Sequence, residues 1–271
     1  MESEIRPSSA GRKNTRLAII VGILLTVPVL FFPPFAAAQG NDANKILKAM
    51  SDFMTSQKAF SLTYDSDIEV LTTDLQKIQF ASSGQVQAIR PDKLRATRTG
   101  GYKNVELVFD GKTLSVNSKD GNIFSQLDAP GSIDQIVDLL RNKYSVTAPG
   151  TDLLFSRPFD ILTANVIDAK HIGQGVIDGV ECEHLAFRTP ETDWQIWIER
   201  GARPIPRKYV ITSKTITGAP QYTLRIKKWQ PDAAAAGTFA FKPAQGAKKV
   251  AFEALQIDEV PPGVTATGDK K

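Results

Sequence analysis

The chain has 271 residues, 42% of them hydrophobic and 23% charged, with a formal net charge of +4 and one cysteine. That charge is too close to neutral for a nucleic-acid binder, and no run of five or more like charges occurs. A lone cysteine excludes an internal disulfide, so packing must hold the fold unaided.

The first residues carry the three parts of an export signal. Arg12, Lys13 and Arg16 form a basic region, Leu17 to Phe32 an apolar run, and Ala36-Ala37-Ala38 the small residues that a signal peptidase needs. The apolar run is shorter than the ~20 residues that span a bilayer, and Pro28, Pro33 and Pro34 interrupt it. The expectation is cleavage near Ala38 after export to the periplasm. With no Arg-Arg pair near the start, the general secretory route fits better than the twin-arginine route. Four basic and two acidic side chains leave with residues 1–38, so +4 becomes +2. The remainder divides into one domain over 39–255 and a Pro-, Gly-, Thr- and Lys-rich tail, 256–271, whose composition predicts disorder.

From Asp42 to about Gln57, Ile46, Leu47, Met50, Phe53 and Met54 recur at helical spacing and predict an amphipathic helix. The period then changes to two. Phe60, Leu62, Tyr64, Ile68 and Val70 alternate with Ser61, Thr63, Asp65, Asp67 and Glu69, a half-buried strand. Further strands are predicted over 78–90, 93–99, 102–109, 113–117 and 123–127, with Asp110-Gly111 and Asp120-Gly121 as type I′ hairpin turns. Pro130-Gly131-Ser132 marks a helix start with Ser132 as N-cap, followed by the stripe Ile133, Ile136, Val137, Leu140. A short helix is expected over 159–162. Strands return over 168–177, 180–188, 192–199, 205–216 and 221–229, with Asp178-Gly179 a third hairpin turn and a last short strand through Phe239 and Phe241. Helices do not alternate with single strands, which argues against a parallel sheet. The pattern predicts a mainly β chain with one large curved antiparallel sheet, its concave face covered by the N-terminal and central helices.

Catalytic constellations are scarce. His171 and His184 stand near no Gly-x-Ser-x-Gly nucleophile turn, and Gly173-x-Gly175 is followed by no helix that could hold a phosphate. Cys182-Glu183-His184 could place thiol and imidazole on one strand face, which is half a metal site at most. Asp65, Asp67 and Glu69 read as a solvated outer face. Neither a catalytic residue, a metal ligand nor a cofactor site is therefore assigned, and an enzyme is the least favoured class. What remains is apolar surface at alternate strand positions: Phe60, Leu62, Tyr64, Phe80, Leu107, Phe109, Trp194, Ile196, Tyr222 and Leu224. These ten are compatible with a solid core or with the lining of a cavity for an acyl chain.

Four stretches carry a resemblance to a known family: Asp193–Glu199 (DWQIWIE), Pro204–Thr212 (PIPRKYVIT), Cys182–Arg188 (CEHLAFR) and Pro149–Leu154 (PGTDLL). They resemble an uncharacterised family of predicted bacterial periplasmic proteins, domain of unknown function 2092, over residues 43–252. That family looks related in fold to the LolA/LolB/LppX-like lipoprotein carriers and to the RseB sensor domain, and Phe109–Leu114 (FDGKTL) is similar to a hairpin of those carriers. The resemblance implies an unclosed β-barrel with helices as a lid over a hydrophobic cavity. It implies as partners a lipid or the acyl chains of a lipoprotein, with transient contact at a membrane surface, or alternatively other envelope proteins bound by a sensor or scaffold.

Overall fold

The structure is a computed structural model and describes residues 35–146, 148–232 and 237–264. The export signal expected over residues 1–38 lies outside these residues except for 35–38, which belong to the first helix, α1 (Phe35–Ser56).

Among the described residues twelve strands follow in a single sheet. They are β1 (Ala59–Leu71), β2 (Lys77–Ile89), β3 (Lys93–Gly100), β4 (Asn104–Phe109), β5 (Thr113–Ser118), β6 (Ile123–Asp128), β7 (Asp168–Ile177), β8 (Val180–Arg188), β9 (Thr192–Glu199), β10 (Pro206–Ser213), β11 (Gln221–Pro231) and the two-residue β12 (Lys248–Lys249). The order across the sheet is β12-β6-β5-β4-β3-β2-β1-β11-β10-β9-β8-β7. Apart from β12, which runs parallel to β6, each half is a meander of antiparallel neighbours. The first strand of the chain joins the two halves by pairing with β2 on one side and β11 on the other. The sheet does not close, since β7 and β12 are its two edges. Two helices lie between the halves in sequence, α2 (Ile133–Tyr144) and α3 (Pro158–Thr163), with a 3₁₀ turn at Thr151–Leu154.

Helix α1 shows why the spacing mattered. Ala43, Leu47, Met50 and Met54 are all at most 1% exposed, and the helix packs on β7, β8, β9 and α3. Each large apolar side chain buried there contributes about 1.5–3 kcal/mol. The hydroxyl of Ser51 accepts a hydrogen bond from the Phe159 backbone N–H at 3.0 Å, which pins α3 to α1. Helix α2 starts as its sequence dictates. The Ser132 hydroxyl accepts from Gln135 N–H, and the Gln135 side chain accepts from Ser132 N–H, a complete capping box. Ile133, Ile136, Val137 and Leu140 are buried beneath it.

Three expectations change. Only Asp178-Gly179 is a type I′ turn, with φ of 48° and 80°. At Asp110-Gly111 only the glycine has positive φ, and the Asp110 carboxylate instead accepts from the N–H groups of Lys112 and Thr113. At Asp120-Gly121 the left-handed residue is Asn122, because a four-residue turn closes with Asn122 N–H donating to Lys119 C=O. Phe239 and Phe241 form no strand; Phe241 packs on Phe124 at 5.5 Å between ring centroids, and the short strand lies at β12 instead. Of the tail expected from Gln256, residues 256–264 are described, and Ile257 to Pro262 lie along a cavity; residues 265–271 fall outside.

Candidate functional site

Strand register builds the cavity. Leu62, Val86, Ala96, Leu107 and Val116 stand opposite one another across β1 to β5, one residue per strand. The neighbouring row is Phe60, Ala88, Leu94, Phe109 and Leu114, each residue at most 4% exposed, and it is solid except at Leu94, which reaches the cavity. The first row is made of smaller side chains and leaves space above it. That space is a partly enclosed cavity of about 490 Å³, roofed by Ile136, Val137 and Leu140 of α2 and by Leu153 and Leu154. Such a volume lies within the range of about 300–1,000 Å³ found for pockets that hold one small ligand.

The roof is held by polar contacts. Arg141 of α2 donates to Thr151 Oγ1 and Asp152 Oδ1, each at 2.7 Å. Asp134 accepts from Ser156 N–H and Oγ–H at 2.9 and 2.6 Å. From the sheet side, the Arg90 guanidinium donates to the carbonyls of Leu154 and Phe155 at 2.7 and 3.2 Å and lies over the Phe60 ring. Burial lowers the pKa of Arg90, which nonetheless remains charged far above neutrality.

One corner of the cavity is polar. The third row runs Tyr64, Gly84, Arg98, Val105 and Ser118. Tyr64 donates its hydroxyl to Thr97 C=O at 3.1 Å, and Arg98 forms an ion pair with Glu259 at 3.0 Å. Burial raises the Tyr64 phenol to about 12; the Glu259 charge adds to the rise and Arg98 opposes it. Tyr222, across the sheet on β11, is raised first by burial and then by the Glu259 charge. Both phenols are therefore neutral donors throughout the physiological pH range.

Of the ten apolar positions predicted from sequence, Leu62, Tyr64, Leu107, Tyr222 and Leu224 line this cavity. The other five do not. Phe60 stacks on Trp229 with centroids 4.7 Å apart, and Phe109 fills the solid row beside it. Trp194 and Ile196 are packed in the other half of the sheet, where Trp194 stacks on Phe187. Phe80 is half-buried opposite Ile68, beyond the lining. Alternation identifies the inward face of a strand, whereas hollowness depends on the size of in-register neighbours from other strands. Arg98 and Glu259 were missed. A signal for Arg98 existed, because Leu94-x-Ala96-x-Arg98 puts a cation at an inward position of β3.

The reactive-looking cluster lies elsewhere. Cys182 is fully buried, its thiol is raised mainly by that burial, and it donates weakly to Val180 C=O. His184 bonds Gln195 Oε1 at 2.9 Å and stacks on Trp197. Neither residue lines the cavity. Asp65 and Glu69 of the outer face are engaged by Ser83 and by Lys77 with Gln221 N–H. Among the described residues no group of three His, Cys, Asp or Glu is placed to hold a metal ion, and no helix is long and apolar enough to cross a membrane.

Distant structural likenesses accompany this geometry. An uncharacterised conserved protein from Thermus thermophilus is 12% identical, with 77% of this chain and 98% of that one covered at a TM-score of 0.47. The Mycobacterium tuberculosis lipoprotein LppX is 14% identical, with 72% and 98% covered and a TM-score of 0.45. MucB, in a complex with MucA from Pseudomonas aeruginosa, is 13% identical, with 72% and 59% covered and a TM-score of 0.41. No curated protein matches the sequence. A family model described as "Predicted periplasmic protein (DUF2092)" matches residues 43–253. The chain belongs to that family of predicted periplasmic proteins.

Proposed function

We propose that this protein is a periplasmic binding protein that shelters the apolar part of a lipid or a lipidated polypeptide between its open sheet and its helical roof. Residues 1 to about 38 direct it through the general secretory route and are removed. The observation that carries the reading is the cavity of about 490 Å³ whose floor is a register row of Leu62, Val86, Ala96, Leu107 and Val116. An acyl chain needs only dispersion contacts and a dry lining, and this row supplies both.

The test is thermal. Delipidated protein is expected to melt higher when phospholipids, fatty acids or lipopeptides are added, by linkage to the folded state. No shift with any of them would count against the cavity. It would favour the second reading, a non-enzymatic sensor or scaffold for other envelope proteins. The support for that alternative is the edge strand β7, where Ile172 and Val176 are 54% and 65% exposed on a strand with an unpaired side.

A further inference from the structure

The segment after Leu255 runs along the cavity. Leu255 is 1% exposed and anchors it, and Ile257 to Pro262 then contribute to the lining. Arg98 holds this arm at two points. Its Nη2 donates to Ile257 C=O at 2.5 Å, and its Nη1 donates to Glu259 Oε1 at 3.0 Å. The two charged side chains are only 17% and 13% exposed.

A cation at an inward position of an apolar sheet is costly to leave alone. Removing one partner of a desolvated pair strands the other charge. Whatever displaces the arm must therefore bring an anion to Arg98. The arm itself shows what fits: between apolar Ile257 and Val260 it carries Asp258 and Glu259, and it is the Glu259 carboxylate that pairs with Arg98. Arg98 is the only cationic side chain lining the cavity among the described residues, which matches a head of one negative charge. With the arm seated the remaining space is about 490 Å³, in the lower half of the range of about 300–1,000 Å³ for ligand pockets.

We propose that Arg98 anchors the head of a long-chain carboxylate, a fatty-acid anion, and that Glu259 is the chain's own stand-in for it, displaced with its arm when the ligand enters. This rests on the reading of the cavity as an acyl-chain site. It also makes the arm a built-in competitor, because apparent affinity falls by the fraction of molecules whose site is accessible.

The experiment compares oleate with oleyl alcohol, which has the same chain and no charge, on the delipidated exported protein by titration calorimetry. Oleate is expected to bind about tenfold more tightly, a difference of ~1.4 kcal/mol. Arg98→Gln is expected to abolish that preference while leaving alcohol binding in place. Because Arg98→Gln removes a buried charge and can impair folding, Glu259→Gln provides an independent arm, expected to tighten oleate binding several-fold. Hydrogen exchange at Ile257 to Val260 is expected to accelerate when oleate binds. Equal affinity for the two ligands, a preference that survives Arg98→Gln, or exchange unaltered by oleate would overturn the anchor while leaving the acyl cavity standing. Phosphatidylglycerol that outcompetes oleate through Arg98 would overturn the carboxylate assignment. If neither oleyl ligand binds, the cavity reading fails as well.

Discussion

Tyr64 lies flat across Gly84: a Cβ placed on the glycine would collide with the Tyr64 ring carbon Cζ and with Thr97 C=O. The two residues face each other across β1 and β2, and the missing side chain lets the phenol reach over β2 to Thr97 on β3. The polar corner of the cavity is thus set by an absence on one strand and a long side chain on the next. Gly84→Ala is expected to push the ring from this seat and destabilise the protein by about 1–3 kcal/mol. Urea denaturation of the variant and the parent measures it.

The hollow and solid rows make opposite predictions for the same substitution. Ala88 is 1% exposed in the solid row, and Ala96 lines the cavity. Ala88→Leu is expected to cost about 1–3 kcal/mol through overpacking. Ala96→Leu is expected to cost less than ~1 kcal/mol, since its added carbons enter empty space, and to weaken binding of any acyl ligand. Paired denaturation curves distinguish them; equal losses would mean that the cavity is not hollow in solution.

Ser132→Ala removes the hydroxyl that accepts from Gln135 N–H at the start of the roof helix. The expected loss is about 1 kcal/mol, as for other helix caps. Because α2 lines the cavity, hydrogen exchange in its first turn is expected to rise as well.

His184 gives a pH signature. Burial lowers its pKa, with Lys208 and His171 charges acting in the same direction and the Gln195 hydrogen bond opposing them. A folded pKa below the unfolded value near 6.5 means that both states are neutral above that value and stability is complete there. As pH falls below ~6.5 the unfolded chain takes up the proton first, so stability declines until the folded pKa is reached. Melting temperatures measured from pH 7.5 to 5 are expected to drop more steeply for the parent than for His184→Gln.

Local signals carried much of this fold. The period-two stretch from Phe60 to Val70, the Ser132 cap and the buried stripe of α2 all act within a few residues, and all can be read from sequence. The pairing of Phe60 with Pro231 cannot be, because residues so distant in sequence leave no local trace of their contact. The same reason hides the cavity. The alternation of inward and outward positions was legible, but which rows are hollow depends on Ala96 meeting Val86 and Leu107 across three strands. Phe239 and Phe241 misled because aromatic residues at alternate positions signal a strand, whereas here Phe241 packs singly on Phe124. The Arg98–Glu259 pair joins β3 to the end of the chain, and low apolar content in the last residues concealed its seat.

The central claim is that the cavity holds an acyl chain in the periplasm. Native mass spectrometry of the protein purified from that compartment, without detergent, tests it most directly. The account predicts a second species heavier by the mass of one acyl-chain compound, lost when Ala96 is replaced by Phe. A spectrum containing only the bare polypeptide, from protein whose melting temperature no acyl ligand raises, would contradict it.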